Sequence, residues 1–199
     1  PIFASIKAAA IDAVKSGVNI LIVTDRRVND KLVAIPALLA TSAIHQCLVE
    51  KGLRTSTGLV VETGSAFEVH HFALLGGYGA EAIHPYTALQ VVRQLAASQS
   101  RSDSYEENYI HAIDKGLYKI MAKMGICTYM SYIGAQIFEA IGLSEEFIDR
   151  YFANTPSKIG GIGLFAIAGE AVRIHKRAMD KSRRNDNTLD NGGELNWRY

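Results

Sequence analysis

Asp25-Arg26-Arg27 follows the apolar run VNILIV at residues 18–23, with only Thr24 between them. A carboxylate beside two guanidinium groups, just past a strand, is where an α/β protein places acid/base or anion-binding chemistry. The same residues also serve a plainer purpose, with Asp25 capping the loop or pairing with an arginine to hold the turn. No second carboxylate or histidine lies close enough in sequence to complete a dyad.

His70-His71 falls on a helical stretch, where neighbouring side chains point about 100° apart and cannot chelate one metal as an i, i+4 pair does. The expectation is one imidazole facing the core or a neighbouring segment and one exposed or at an interface. His45, His84, His111 and His175 are scattered, and Cys47 and Cys127 form no CxxC pair, which points to two reduced thiols. Gly76-Gly77-Tyr78-Gly79-Ala80 has the composition of a phosphate loop but follows a helix, whereas a dinucleotide or P-loop site needs strand, then glycines, then helix. Lys158-Ile159-Gly160-Gly161-Ile162-Gly163 precedes the final helix, so Lys158, Gly160, Gly161 and Gly163 are the candidates for holding a flavin phosphate. An independent enzyme would need Asp25, Arg26 and His70 to converge in one pocket. No Gly-x-Ser-x-Gly elbow, Walker motif, zinc spacing or iron–sulfur cysteine pattern is present, so the chain carries no self-contained catalytic or metal constellation in its sequence. Asp25, Arg26, Arg54, His70 and His71 are read as structural or interface residues.

The elements that must position these groups alternate between helix and strand. Residues 2–16 repeat apolar side chains at helical spacing and stop at Gly17; residues 18–23 read as a strand buried on both faces of a parallel sheet. Pro36 opens a helix to Lys51, closed by Gly52, and residues 57–61 read as a second strand. Ser65 with Glu68 predicts a capping box for a helix to about Leu75. Residues 80–83 read as a third strand, and Pro85 opens a helix to about Ala97. Residues 98–107 (SQSRSDSYEE) form a polar linker or insertion. Residues 108–123 read as an amphipathic helix, 126–130 as a fourth strand, 133–141 and 145–151 as short helices, and 164–179 as a last helix after a 157–163 loop. Residues 181–199 form a polar tail, extended unless something docks on it.

Four strands with intervening helices place the chain in the α/β class, with a mostly parallel sheet of βα units. The number is too low for a closed eight-stranded barrel, so the expectation is a partial or barrel-like array related to the TIM barrel. The division read from composition is a βα body at 1–97, a linker at 98–107, a βα segment at 108–180 and a tail at 181–199.

With 199 residues, 48% hydrophobic and 21% charged, the chain suits one sizeable globular domain. Its 21 basic and 20 acidic side chains leave a net charge of +1, which implies no nucleic-acid partner. Apolar runs stay far below the roughly twenty residues of a membrane helix, so no membrane partner is implied and the chain reads as soluble. It opens Pro1-Ile2-Phe3, with neither an initiating methionine nor a signal layout, and is read as a piece of a longer polypeptide.

Several strings, in order along the chain, resemble one family. Gly134-Ala135-Gln136-Ile137-Phe138-Glu139-Ala140-Ile141-Gly142-Leu143 is similar to the segment where the central domain of the glutamate synthase large subunit runs into its FMN-binding domain. The strings IPALLATSA at 35–43, GLRT at 52–55, GLVVE at 58–62, VHHFALL at 69–75 and GYGA at 77–80 resemble that central domain too, as do NYI at 108–110 and KMGI at 123–126. Arg27, Thr87 and Cys127 depart from the family pattern.

The resemblance implies part of an enzyme that makes two glutamates from glutamine and 2-oxoglutarate. Family members release ammonia at a glutaminase domain and pass it through a tunnel to a domain carrying FMN and an iron–sulfur cluster. The central domain is a spacer that helps wall the tunnel, and Gly192-Gly193-Glu194 resembles the first residues of the FMN region. The implied partners are the glutaminase and FMN domains of the same polypeptide, with a small electron-donating subunit or ferredoxin beyond them. The implied cofactors, FMN and the cluster, belong outside this segment. The implied location is the cytoplasm, or a plastid in a plant or alga.

Overall fold

In the computed structural model, residues 2–98, 104–180 and 182 are described. The chain opens with α1 (Ile2–Lys15), and Gly17, at φ 94°, turns it into β1 (Ile20–Thr24). There follow α2 (Ala37–Glu50), a 3₁₀ turn (Arg54–Ser56), β2 (Gly58–Glu62), α3 (Val69–Gly77), β3 (Ala82–His84) and α4 (Tyr86–Ser98). The second half contains α5 (Ser104–Lys123), α6 (Tyr129–Tyr132), β4 (Ala140–Leu143), α7 (Glu145–Tyr151), β5 (Ser157–Ile162) and α8 (Leu164–Met179).

The strands form two open parallel sheets, β1-β2-β3 and β4-β5. Among the described residues this is a mixed α/β array of βα units without barrel closure. Register in the larger sheet aligns Ile22, Val60 and Ala82 in one row and, two residues on, Thr24, Glu62 and His84 in another. Leu21, Val23 and Leu59 turn toward the helices and pack with Ala10, Val14, Ile44 and Leu48. Val61 and Ile83 join Phe72, Leu75 and Ile113 in a second cluster. Helix α2 is buried along most of its length and reaches a third cluster, where Leu39 and Ala43 meet Phe147, Ile148 and Tyr151 of α7. It therefore ties the two sheets together, and truncating fully buried Leu48 to alanine is of the class that costs about 2–5 kcal/mol.

Local pattern and observed structure part company at several places. Residues 18–23 read as a strand buried on both faces, but β1 is an edge strand. The sheet face carrying Ile20 and Ile22 is open, at 61% and 63% exposure. The capping box is shifted. Helix α3 starts at Val69, its N-cap is Glu68, and the reciprocal partner is the His71 side chain rather than Ser65 with Glu68. Helix α5 begins at Ser104, so 104–107 are helical; of the 98–107 linker, residues 99–103 lie outside the described residues, as does the 181–199 tail except Ser182.

Residues 126–130 form no strand. Gly125, at φ 70°, ends α5. The one-turn helix α6 lets the Tyr129 hydroxyl donate to the Ala80 carbonyl at 2.8 Å and that of Tyr132 to the Ala73 carbonyl at 3.0 Å. Residues three apart share a face on a helix and oppose each other on a strand, so these two anchors require the turn. Nor is 133–141 a helix. Gly134, at φ 77°, donates its N–H to the Gly77 carbonyl, Gln136 donates to the Asn154 carbonyl at 2.6 Å, and Phe138 stacks on Tyr78. The chain then enters β4. The loop expected at 157–163 is β5 followed by the N-cap Gly163, because it pairs with β4 along Ala140–Ser157, Ile141–Ile159 and Leu143–Ile162.

Candidate functional site

Right-handed crossovers bring the carboxyl ends of three parallel strands together, and the polar groups there form one network. Asp25 sits just past β1 and accepts from three donors. The Tyr86 hydroxyl reaches Oδ1 at 2.7 Å, the Thr63 hydroxyl reaches Oδ2 at 2.6 Å, and the Gly64 amide lies 3.0 and 3.1 Å from the two oxygens. Glycine at position 64 leaves room for these hydroxyls, since a Cβ would fall 2.8 Å from both the Tyr86 and Thr87 hydroxyl oxygens and displace them.

Arg26 lies beside this knot. Its Nε pairs with Glu62 Oε1 at 2.6 Å, its guanidinium covers the Tyr86 ring at 4.4 Å, and Nη2 is 3.4 Å from His84 Nε2. The Thr24 hydroxyl donates to Glu62 Oε2 at 2.7 Å. These bonds, from Thr24 first and Arg26 second, hold the Glu62 carboxyl below its ordinary range. Desolvation, reinforced by the hydrogen bond to Asp25, pushes the Tyr86 hydroxyl up to about 12, so it serves at neutral pH as a donor and not as a proton source.

A second network closes the opposite end of the sheet. Arg54 donates Nε–H to His45 Nδ1 at 3.0 Å, Nη1–H to the Thr57 carbonyl at 2.7 Å, and Nη2–H to the Gly79 carbonyl at 3.0 Å and Glu81 Oε1 at 2.7 Å. Burial first, and the Arg54 charge second, lower His45 to about 4, which keeps it neutral and able to accept. Gly79, at φ 125°, packs against the His45 ring, where a Cβ would fall 2.6 Å from Nδ1.

The remaining sequence candidates are distributed elsewhere. His70 is exposed in the first turn of α3, while His71 accepts the Phe67 amide at Nδ1 (3.2 Å) and lies 3.6 Å from Glu68. Asp25 and Arg26 bond to Tyr86, Thr63, Gly64, Glu62 and His84 rather than to His70. Lys158 is 85% exposed on β5, 3.9 Å from Glu139. Gly160 has open space around it, whereas a Cβ on Gly161 would collide with the Gly142 carbonyl. Gly161 is thus set by the approach of β4 to β5. Cys47 is buried and Cys127 exposed, both free, and among the described residues no group of three or more His, Cys, Asp or Glu could hold a metal. No described helix is long and apolar enough to cross a membrane.

Tyr86, Thr63, Glu62, His84, His45 and Glu81 complete the two networks and were not singled out from the sequence as site residues. One signal was available for Glu62, Thr63, His84 and Tyr86, which follow predicted strands at the end where parallel sheets cluster their polar groups; His45, within a helix, and Glu81, within a predicted strand, carried none. The hydrogen bonds of the two networks tie the strand ends to one another.

The family described as glutamate synthase central domain matches residues 2–144. The chain belongs to that family. It is 49% identical over 189 residues to the "Glutamate synthase [NADPH] large chain" of Bacillus subtilis, covering 94% of this chain and 12% of the relative. It is 39% identical to "Ferredoxin-dependent glutamate synthase 2" of Synechocystis, covering 95% of this chain and 13% of the relative. Against "Glutamate synthase [NADH]" of Saccharomyces cerevisiae the identity is 40%, covering 84% and 8%. The chain thus spans a small fraction of the length of the relatives it matches. The central-domain match ends at Ser144, the N-cap of α7, while the likeness to the Bacillus and Synechocystis relatives covers nearly the whole chain.

Proposed function

We propose that this chain is a structural spacer within a glutamate synthase polypeptide, holding a glutaminase site and an FMN site apart and helping to wall the path of ammonia between them. The observation that carries the reading is the 49% identity across 94% of the chain to a glutamate synthase large chain. The hydrogen bonding of Asp25 and Arg54 supports it: Asp25 accepts from three donors and Arg54 donates to four acceptors within the fold, as the fixed joints of a spacer would. In this reading the segment performs no catalysis. FMN, the iron–sulfur cluster and the glutaminase nucleophile reside in other parts of the polypeptide, and electrons arrive from a nicotinamide-linked subunit or from ferredoxin. The polypeptide works in the cytoplasm, or in a plastid in a plant or alga.

The test compares the 199-residue chain with the full polypeptide encoded by its gene. The expected result is a colourless chain that neither hydrolyses glutamine nor forms glutamate, and a full polypeptide that makes glutamate from glutamine and 2-oxoglutarate. A chain that binds flavin, with absorbance near ~450 nm lost in Lys158→Ala, overturns the spacer reading in favour of a flavin or phosphate site at Lys158, Gly160, Gly161 and Gly163.

A further inference from the structure

Strand β1 is an edge strand, and its free side is a groove rather than a flat surface. A cavity of about 580 Å³ opens beside it, lined by Ile6 and Ala9 of α1, by Ile22, Val23 and Thr24 of β1 and by part of the 27–35 segment, and reaching Ile44 of α2 and Val61 of β2. The Asn19 carbonyl accepts from the Gly58 amide and the Asp25 amide donates to the Glu62 carbonyl, so the odd-numbered residues of this stretch face β2. Backbone direction alternates along a strand, so Ile20, Ile22 and Thr24 turn their N–H and C=O groups toward the free edge. No backbone hydrogen bond joins them to the 27–35 segment among the described residues. Such a row of unpaired groups beside apolar walls is a template for another strand.

The order of the sheet says which strand. Successive strands add in one direction, β1 then β2 then β3, all parallel, through α2 and α3. Helix α1 packs with α2 in the cluster that also holds Leu21, Val23 and Leu59, on the same face of the sheet. A strand feeding α1 through a right-handed crossover would land on the side of β1 away from β2, which is the groove. We infer that the free edge of β1 is the seat of a parallel β-strand supplied by the polypeptide immediately ahead of α1, with alternate apolar side chains directed at Ile6 and Ala9. The inference rests on the reading that this chain is part of a longer polypeptide.

Amide hydrogen exchange tests it on three proteins: the 199-residue chain, the same chain extended by the about 15 residues that precede it in its gene, and the full polypeptide. The expected result is fast, concentration-independent exchange at Ile22 and Thr24 in the 199-residue chain. In both longer proteins the same amides slow by at least about 100-fold, the size expected when an exposed amide joins a stable ladder. Equal rates in the chain and its extension overturn the inference, as does slowing only in the full polypeptide, which would seat a different segment there. Protection of the 199-residue chain that grows with its concentration also overturns it, in favour of a second copy. Ile22→Pro adds an independent check, because proline removes an N–H that points away from β2. Its urea midpoint should match the parent sequence in the 199-residue chain and fall in the extended one. Glutamate formation by the full polypeptide is read separately: activity without protection sinks this inference alone, and protection without activity sinks the glutamate synthase reading alone.

Discussion

Arg54 donates its Nε–H to Nδ1 of His45 across 3.0 Å, joining the turn before β2 to the middle of α2. The same guanidinium reaches two backbone carbonyls and Glu81, so a single side chain fastens α2, β2 and the start of β3. Arg54→Ala leaves an imidazole and two carbonyls without their donor, and its expected cost is about 2–4 kcal/mol, seen as a lower urea midpoint with an unchanged slope. Arg54→Lys, which supplies a point charge without the planar fork, is expected to recover only part of that loss.

His45 gives the fold a defined response to acid. Its value of about 4 in the folded state lies below the 6.5 of an unperturbed histidine, so between these limits the unfolded chain binds more protons than the folded one. Stability therefore falls as pH drops from 6.5 to 4, and the contribution flattens below 4, where both states are protonated. Thermal melts across this range should show the decline, and His45→Gln, which cannot take up a proton, should shrink it. An unchanged pH slope in the variant would assign the acid response to other groups.

At the other end of the sheet, Tyr86→Phe removes the 2.7 Å hydrogen bond to Asp25 while keeping the ring that stacks under Arg26. The expected destabilisation is about 1–2 kcal/mol. Asp25→Ala removes the acceptor for Tyr86, Thr63 and the Gly64 amide at once, and should cost more than Tyr86→Phe by at least about 1 kcal/mol. Equilibrium unfolding of the two variants and of the pair in one chain gives the coupling energy, expected to be clearly non-zero for groups in direct contact.

The stretches whose structure was legible in the sequence are those governed by local period and local breakers. Helices α1 and α2 follow their apolar spacing and their flanking Gly17 and Pro36, and α7 and α8 lie within the spans read for them. The 126–143 region was not legible, because its shape is fixed by partners far away: Tyr132 answers to Ala73, Gly134 to Gly77, and β4 to β5. The candidate site shows the same division. Asp25 is visible from its place after a strand, but its partners Thr63 and Tyr86 lie 38 and 61 residues away, and no spacing rule connects residues that only the sheet brings together.

Gly160 and Gly161 are neighbours with opposite roles, and alanine at each separates a phosphate loop from a strand contact. Around Gly160 there is open space, so Gly160→Ala is expected to change stability by no more than about 0.5 kcal/mol. At Gly161 an added methyl meets the backbone of Gly142, with the carbonyl oxygen, the carbonyl carbon and Cα all inside 3.0 Å. Gly161→Ala should therefore push β5 from β4 and cost about 1–3 kcal/mol, the range of an overpacked contact. Exchange of the Ile141 to Leu143 amides should quicken in that variant alone. Equal behaviour of the two variants would mean that the approach of β4 and β5 is not what selects glycine at position 161.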